Sequence, residues 1–377
     1  MLLQTTETPW WSYLLNVLWI IFIFITMFYG QQIQSWRASK TITTALEELK
    51  KWDKETRATT IRKLKQYCDK NLTLKDLEEK LDVFLNYISI SPTSLDPAGI
   101  VPRIEHVMDV RESRWTEEVK SIATNADSSQ LHNLENLLEA AMAVNQVYRI
   151  LRHYLLLGKK MKSYLVLMQV EMQLSIIKAM AKAYVAAASA FAEGSPIGDS
   201  LGPMVTASLV RDITQSDSTP YNEIAYETIY QEVIFEGRNV HIVRAKGPGG
   251  TVGKPGEAIQ KIVQKDPAAV KLVIMIDAGL KMEGDKTGSV IVGVGAAIGG
   301  IGVEKYKIEG ASTEHHIPID AIVCRQSLQD AITTMRNPIV KSVPIIVDLV
   351  KEMIRKRVKE GESVIVAGIG NTIGIGI

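Results

Sequence analysis

Asp277 is the side chain whose setting in this 377-residue sequence most resembles a working one. It stands in Lys271–Gly279, KLVIMIDAG, an apolar run that ends in small residues. Such a run predicts a strand buried on both faces, as in a parallel sheet. In open α/β sheets, ligands bind in the crevice beyond the carboxyl ends of the strands, where Asp277 would lie. Asp199 sits at the mouth of Gly194–Val210, GSPIGDSLGPMVTASLV, where Gly198, Gly202 and Pro203 predict a tight loop running into a helix. His315 and His316 come just before a predicted strand at Ile319–Val323. Neighbours on a strand point to opposite faces, so at most one imidazole faces a crevice. Each acid also has a structural alternative: Asp199 can cap the following helix, and Asp277 can bond to loop amides.

Other stretches fit a chemical pattern less well. Glu105, His106 and Asp109 could share one helical face as half of a metal site, but nothing nearby completes the set and a solvated face is expected. The loop Lys246–Glu257, KGPGGTVGKPGE, invites a phosphate-cradling reading. It departs from the Walker pattern at Pro248 and at Pro255, and a helix is expected at Ala258–Gln264. The glycine runs Gly293–Gly302 and Gly368–Gly374 each miss the dinucleotide fingerprint by one residue. Cys68 and Cys324 lie far apart and match no metal or disulfide spacing, which suits reduced thiols.

The elements that must hold these residues fall into three kinds. Trp10–Tyr29 carries no charge, has the length of a bilayer-crossing helix, and has aromatic residues at both ends. Arg37, Lys40, Lys50 and Lys51 follow it and no basic residue precedes it, so residues 1–9 are expected outside and the body in the cytoplasm. The anchor, residues 10–30, would have the lipid bilayer as its partner. Residues 31–193 have helical periodicity and suggest a stalk or homo-oligomerisation module. Within them, Met161–Ala192 reads as a packed helix because Glu171, Lys178 and Lys182 interrupt it. Only Gly30, Gly99 and Gly158 of the 26 glycines precede Gly194, which marks a boundary there. Residues 194–377 alternate strand and helix patterns, predicting a mainly parallel α/β sheet. With 43 basic against 42 acidic residues, global charge gives no reason to expect nucleic acid as a partner.

Three stretches, GDSLGPMV, VIMIDAG and GGIGVEKYKIEGASTEHHIPIDAIVCRQSLQDAIT, resemble in the same order three blocks of the spore germination protease. The hydrogenase-maturation endopeptidases share that fold. The whole chain, anchor included, also resembles an uncharacterised archaeal family of single-pass membrane proteins. The first resemblance runs from Gly198 to Thr333 and implies that Asp199 and Asp277 are the working carboxylates. Two carboxylates held close cannot both ionise easily, so one keeps a proton while the other activates water. In the endopeptidases the equivalent acids hold a metal, with a histidine completing the set. His315 or His316 would then join Asp199 and Asp277, although Ser200 stands where a second-site acid is expected. The cofactor is therefore either none or one divalent metal.

One departure from those peptidases is informative. They have a strand ending Gly-x-Gly-Asn before the aspartate loop, whereas here VIVAGIGN (Val364–Asn371) comes last. A circular permutation is the expectation, with the final strand in the sheet beside Asp199 and with Gly198, Gly202, Gly368, Gly370 and Asn371 lining the site. Deleting Ser363–Ile377 should then abolish folding of this half. Two functions from different classes follow. One is a tethered hydrolase acting on cytosolic protein; the other is a non-enzymatic oligomeric scaffold or small-ligand-binding module.

Overall fold

The computed structural model describes residues 10–92, 99–216, 219–300 and 302–376. The chain divides into two compact units, Met1–Lys51 with Gln146–Lys178, and Trp52–Asn145 with Ala179–Ile377. Three helices run through both: α1 (Trp10–Tyr67), α4 (Ser128–Lys160) and α5 (Tyr164–Glu193). Between α1 and α4 in sequence lie α2 (Leu74–Leu85) and α3 (Ile100–Ile122).

In the first unit, α1 begins with Trp10–Met27, which is wholly unburied and apolar enough to cross a bilayer. The helix continues without a break for 58 residues, roughly 87 Å at 1.5 Å per residue. Ala38, Ile42 and Leu49 of α1, Leu151 of α4 and Leu167 of α5 are buried. Gly158 leaves room for the Leu167 side chain, and Lys178 of α5 pairs with Glu48 of α1 at 2.6 Å. α5 is also long and apolar enough to span, but 39% of that window is buried in the protein.

The second unit joins helices to a sheet. Thr73 and Asp76 cap α2 reciprocally, as the spacing of a capping box predicts. Leu77, Leu81 and Phe84 of α2 pack with Trp115 and Val119 of α3, Leu134 and Leu138 of α4, and Ile197 and Ile373 from the loop and tail beside the sheet. Over Trp52–Asn145, the stretch expected to be a stalk or homo-oligomerisation module is part of the same compact unit as the sheet.

After the α6 helix (Leu201–Thr214) come β1 (Asn222–Ala225), β2 (Thr228–Phe235), β3 (Arg238–Ala245), α7 (Pro255–Lys265), β4 (Val270–Leu280) and β5 (Val290–Val294). They are followed by α8 (Val303–Glu314), β6 (Ile319–Gln326), the short α9 (Leu328–Ile332) and α10 (Asn337–Val340), α11 (Ser342–Arg357) and β7 (Ser363–Gly368). The sheet has seven strands in the order β1-β2-β3-β7-β4-β6-β5. The final strand lies at its centre, parallel to both β3 and β4.

Only the inner strands are parallel; β1, β2 and β5 run antiparallel to their neighbours, so the sheet is mixed and not mainly parallel across its width. The reason is local. Phe235 and Arg238 are joined by Glu236-Gly237, both at positive φ, the two-residue turn that folds a chain straight back on itself. Alternate residues of β4 go to opposite faces: Leu272, Ile274 and Ile276 pack with α6 and α11, and Val273 and Met275 with α7 and α8. α7 starts at Pro255, three residues before the expected Ala258, because proline fits the first turn of a helix.

Candidate functional site

Asp277 follows Val273 and Met275 on the face of β4 covered by α7 and α8, near the strand's carboxyl end. Asp199 occupies a single 3₁₀ turn, Gly198–Ser200, which leads directly into α6. α6 can come down onto the ends of β4 and β7 because Gly202 has no side chain; a Cβ there would strike the carbonyls of Ile276 and Ile369. At Gly370 the backbone has φ +130°, and a Cβ would strike the Asp199 carbonyl. This close approach lets the Asn371 amide donate to Asp199 Oδ2 at 2.8 Å. Asn371 is fixed in turn: its Oδ1 accepts from Ile373 N at 2.9 Å, and its Nδ2 donates to Asn136 Oδ1 of α4 at 3.2 Å.

The Asp199 turn is held from the other side as well. Gln326 Nε2 donates to Gly198 O at 2.9 Å, and Gly198 N donates to Thr333 O at 3.2 Å. Gly198 faces the Asp330 carbonyl so closely that no larger residue fits. Asp330 accepts from Thr287, Ser327 and Arg336.

Asp199 and Asp277 line one cavity of about 380 Å³, whose walls include Glu112 of α3, Lys254, Val303 and Glu304. Each carboxylate keeps some open surface on the cavity yet lies deep in the protein. Each uses one oxygen for a backbone amide; Asp277 Oδ1 accepts from Ala278 N at 2.7 Å. Burial raises the pKa of Asp199, opposed only by the Asn371 hydrogen bond. Burial, then the charge of Asp199, pushes Asp277 up to about 8. No cation among the described residues offsets either acid. The basic wall residue, Lys254, is taken up by Asp109 at 2.7 Å. Ionising one acid therefore disfavours ionising the other, and Asp277 keeps its proton at neutral pH beside an acid whose own pKa is raised.

The sequence-predicted residues divide into two sets. Asp199, Asp277, Gly198, Gly202, Gly368, Gly370 and Asn371 come together at one end of the sheet. Gly368 packs against the Gly202 carbonyl. His315 and His316 do not join them. His315 ends α8, His316 follows at φ +53°, and the chain enters β6 at Ile319. Because β6 is parallel to β4, with Ile319 opposite Val273 and Val323 opposite Asp277, both histidines lie at the amino edge. They are at least four strand residues from the acids, roughly 13 Å. No group of three or more metal-binding side chains forms among the described residues, so the carboxylate-plus-histidine metal set does not fit this site.

Two further expectations change. Glu105 and Asp109 are not simply solvated: they form ion pairs with Lys307 and Lys254, fastening α3 over the α7 and α8 ends. The Lys246–Glu257 loop does not present a free cradle at the start of α7. Glu304 Oε2 already accepts from Gly256 N at 2.7 Å and Glu257 N at 3.1 Å, filling the place an anion would take. Glu112, Gln326 and Asp330 were not foreseen as part of the site. Glu112, three residues beyond Asp109, could have been suspected from the acidic face of α3; nothing local marks the other two.

A second cavity, of about 610 Å³, shares Met108, Glu112 and Val252 with the first. Ile100, Ile104, Val107 and Trp115 make it largely apolar, and Glu135 and His132 stand in its wall. Burial pushes Glu135 up to about 7 and lowers the pKa of His132, whose Nε2 lies 3.7 Å from Glu227.

Fold and site thus define an α/β protein with paired buried carboxylates at one end of a mixed sheet, walled by helices and preceded by an apolar helix. The model of the DUF1512 N-terminal domain matches residues 16–194, and that of the DUF1512 C-terminal domain matches residues 197–376. The chain belongs to this family, a protein and domain of unknown function. No curated protein and no solved structure matches it.

Proposed function

We propose that this is a membrane-anchored hydrolase of the peptidase type, acting through the Asp199–Asp277 pair on protein substrates from the cytoplasmic side. One observation carries the reading: two carboxylates from distant parts of the chain line one cavity, both with raised pKa and neither with a cation among the described residues. A structural acid in such a place is ordinarily given charged partners; an uncompensated pair is what acid–base chemistry requires.

In this reading the ionised member takes a proton from water as its oxygen attacks the scissile carbonyl carbon. The protonated member donates to the carbonyl oxygen. Collapse of the tetrahedral intermediate breaks the C–N bond, and the leaving amine takes up the proton. The adjoining apolar cavity gives an extended peptide somewhere to lie. Trp10–Met27 anchors the chain, with the basic residues after it on the cytoplasmic side. Exposed Leu165, Met172 and Ile176 on α5 support self-association.

The test uses the full chain in detergent micelles or lipid nanodiscs, incubated with denatured protein and a peptide library between about pH 4 and pH 9. Cleavage products are read by mass spectrometry. Cleavage that disappears in both Asp199→Asn and Asp277→Asn supports the proposal. Cleavage that survives in either variant, or none from the wild type at any pH, defeats it in favour of a scaffold or ligand-binding role.

A further inference from the structure

Charge is unevenly laid out in the first unit. From Trp10 to Leu46, and again from Gln146 to Val170, the sequence holds no Asp or Glu, although the whole chain has 43 basic against 42 acidic residues. The first stretch contains Arg37 and Lys40, and the second contains Lys159, Lys160 and Lys162. These three lysines lie where α4 ends at Lys160 and α5 begins at Tyr164. They are exposed, and so is Met161 between them, at 62%.

The packing of α5 on α1 fixes the level of that turn. Lys178 pairs with Glu48 at 2.6 Å, and one helical turn earlier Leu174 lines a groove with Thr41 and Ala45, so the two helices run the same way. From Lys178 back to Tyr164 is roughly 21 Å at 1.5 Å per residue, and the same distance back along α1 from Glu48 ends at Gln34. The α4–α5 turn is therefore level with the part of α1 where its first charge, Arg37, appears. Trp10–Trp36 carries no charge and is roughly 40 Å long, the thickness of a bilayer with its headgroups. Trp10 and Trp11 at one end and Trp36 at the other are exposed, as indoles at the two membrane surfaces are.

We propose that the α4–α5 turn is a second membrane contact, whose Lys159, Lys160 and Lys162 join Arg37 and Lys40 of α1 in binding the headgroup phosphates of anionic lipids. The inference rests on Trp10–Met27 spanning the bilayer and is independent of any hydrolysis. Basic clusters just beyond a membrane span are drawn to anionic lipid, and the attraction fades within a Debye length of the surface. A lysine side chain bridges several ångströms of that distance while its stem stays on apolar surface, and Met161 gives the turn an apolar tip to set among the headgroups. With no carboxylate in either stretch to compete, the lipid phosphates are the complementary charge. A single spanning helix leaves the bundle above it free to tilt; a second contact at the surface restrains it.

Site-directed fluorescence of the full chain in nanodiscs tests this. Met161→Cys, Ile20→Cys and Lys51→Cys are each labelled with a small fluorophore; both native cysteines are buried, and the unsubstituted protein measures any labelling of them. The discs are phosphatidylcholine alone, or with about one third phosphatidylglycerol, and carry a nitroxide quencher on the lipid headgroup or acyl chain. The label at 161 should be quenched by the headgroup nitroxide several-fold more in the anionic discs than in the neutral ones. The label at 51, roughly 36 Å beyond Met27 along α1, should be quenched in neither. Lys159→Gln, Lys160→Gln and Lys162→Gln together should remove the lipid dependence at 161. Sodium chloride at about 1 M, where screening acts within about 3 Å, should remove it without any substitution. The proposal is overturned if the label at 161 behaves like that at 51, if it is quenched equally in both lipids, or if neither salt nor the glutamines change it. Acyl-chain quenching at 20 reports the span separately: if it is absent, the anchor reading falls and this proposal with it.

Discussion

Near the end of β4 lies Asp277; just past the end of the neighbouring β6 lies Asp330. Asp330 is withdrawn from solvent too, at 3% exposure. Burial acts to raise the pKa of each, yet Asp277 is pushed up to about 8 while Asp330 is pulled down to about 2. The difference is in their partners. Asp330 is given Arg336 at 2.8 Å, the Thr287 hydroxyl at 2.9 Å and a reciprocal cap with Ser327. Asp277 is given one adjacent amide and a second carboxylate. The fold can stabilise a buried acid at this edge of the sheet, and it does so for the one that holds the Asp199 turn while leaving the other exposed to its neighbour's charge. A region whose buried acid is given matching donors and a region whose acids are left without a cation among the described residues stand side by side.

The largest effects should come from removing the uncompensated charge. On the hydrolase reading proposed above, Asp277→Asn should lower activity by about 10³-fold, and on any reading it should stabilise the protein at alkaline pH. The folded pKa lies above the unfolded value of about 4, so the native state holds a proton the unfolded chain has lost. The wild type is thus relatively most stable below about pH 4 and loses stability as pH rises through about 8. Asparagine removes that loss, a gain on the order of 5 kcal/mol at pH 8.5 that vanishes near pH 4. Urea unfolding at the two pH values checks it; parallel pH dependence in both proteins would mean that Asp277 titrates normally.

The position holding Asp199 should be almost as sensitive. Gly370→Ala combines a backbone at φ +130° with a collision against the Asp199 carbonyl. It should cost about 3 kcal/mol or more. Gly361 is also at positive φ, but its Cβ would meet open space, so alanine there should cost only about 1 kcal/mol. Thermal unfolding of the pair separates strain from steric conflict.

Asp330→Ala should cost about 2 kcal/mol at pH 7 through the lost cap and hydrogen bonds. Here the sign is the reverse of that at Asp277. A depressed folded pKa gives stability that is present above about pH 4 and lost as pH falls towards about 2, so the mutational cost should shrink across that interval. A cost that stays constant down to pH 2 would show that Asp330 is not held ionised.

Much of this was legible in the residues because its cause is local. KLVIMIDAG forms a buried strand since its apolar run is too continuous for a half-exposed one, and the terminal VIVAGIGN takes the sheet centre for the same reason. The glycines at 198, 202, 368 and 370 are legible as places where backbones meet. The β1–β2–β3 meander is not legible in the sequence, because its turns are Tyr226-Glu227 and Glu236-Gly237, and glutamate at positive φ is a weak signal. The histidines were misplaced because sequence gives their distance from a strand but not which end of the sheet that strand enters. α3 as a wall of the site was invisible for a similar reason: Glu105–Lys307 spans 202 residues, and no spacing rule reaches that far.

The smallest effect falls where a carboxylate already occupies an anion's place. Glu304 accepts from two amides at the start of α7, so its position resembles that of Asp330 and not that of Asp277: the charge is matched by donors, here backbone dipoles. Truncation to alanine should leave those amides unpaired and cost about 1 kcal/mol, whereas Glu304→Gln keeps one acceptor oxygen and should lose less. Chemical denaturation resolves the order alanine, glutamine, wild type. If glutamine proves as damaging as alanine, the charge and not the hydrogen bond holds α7. The comparison with Asp330 would then rest on electrostatics alone.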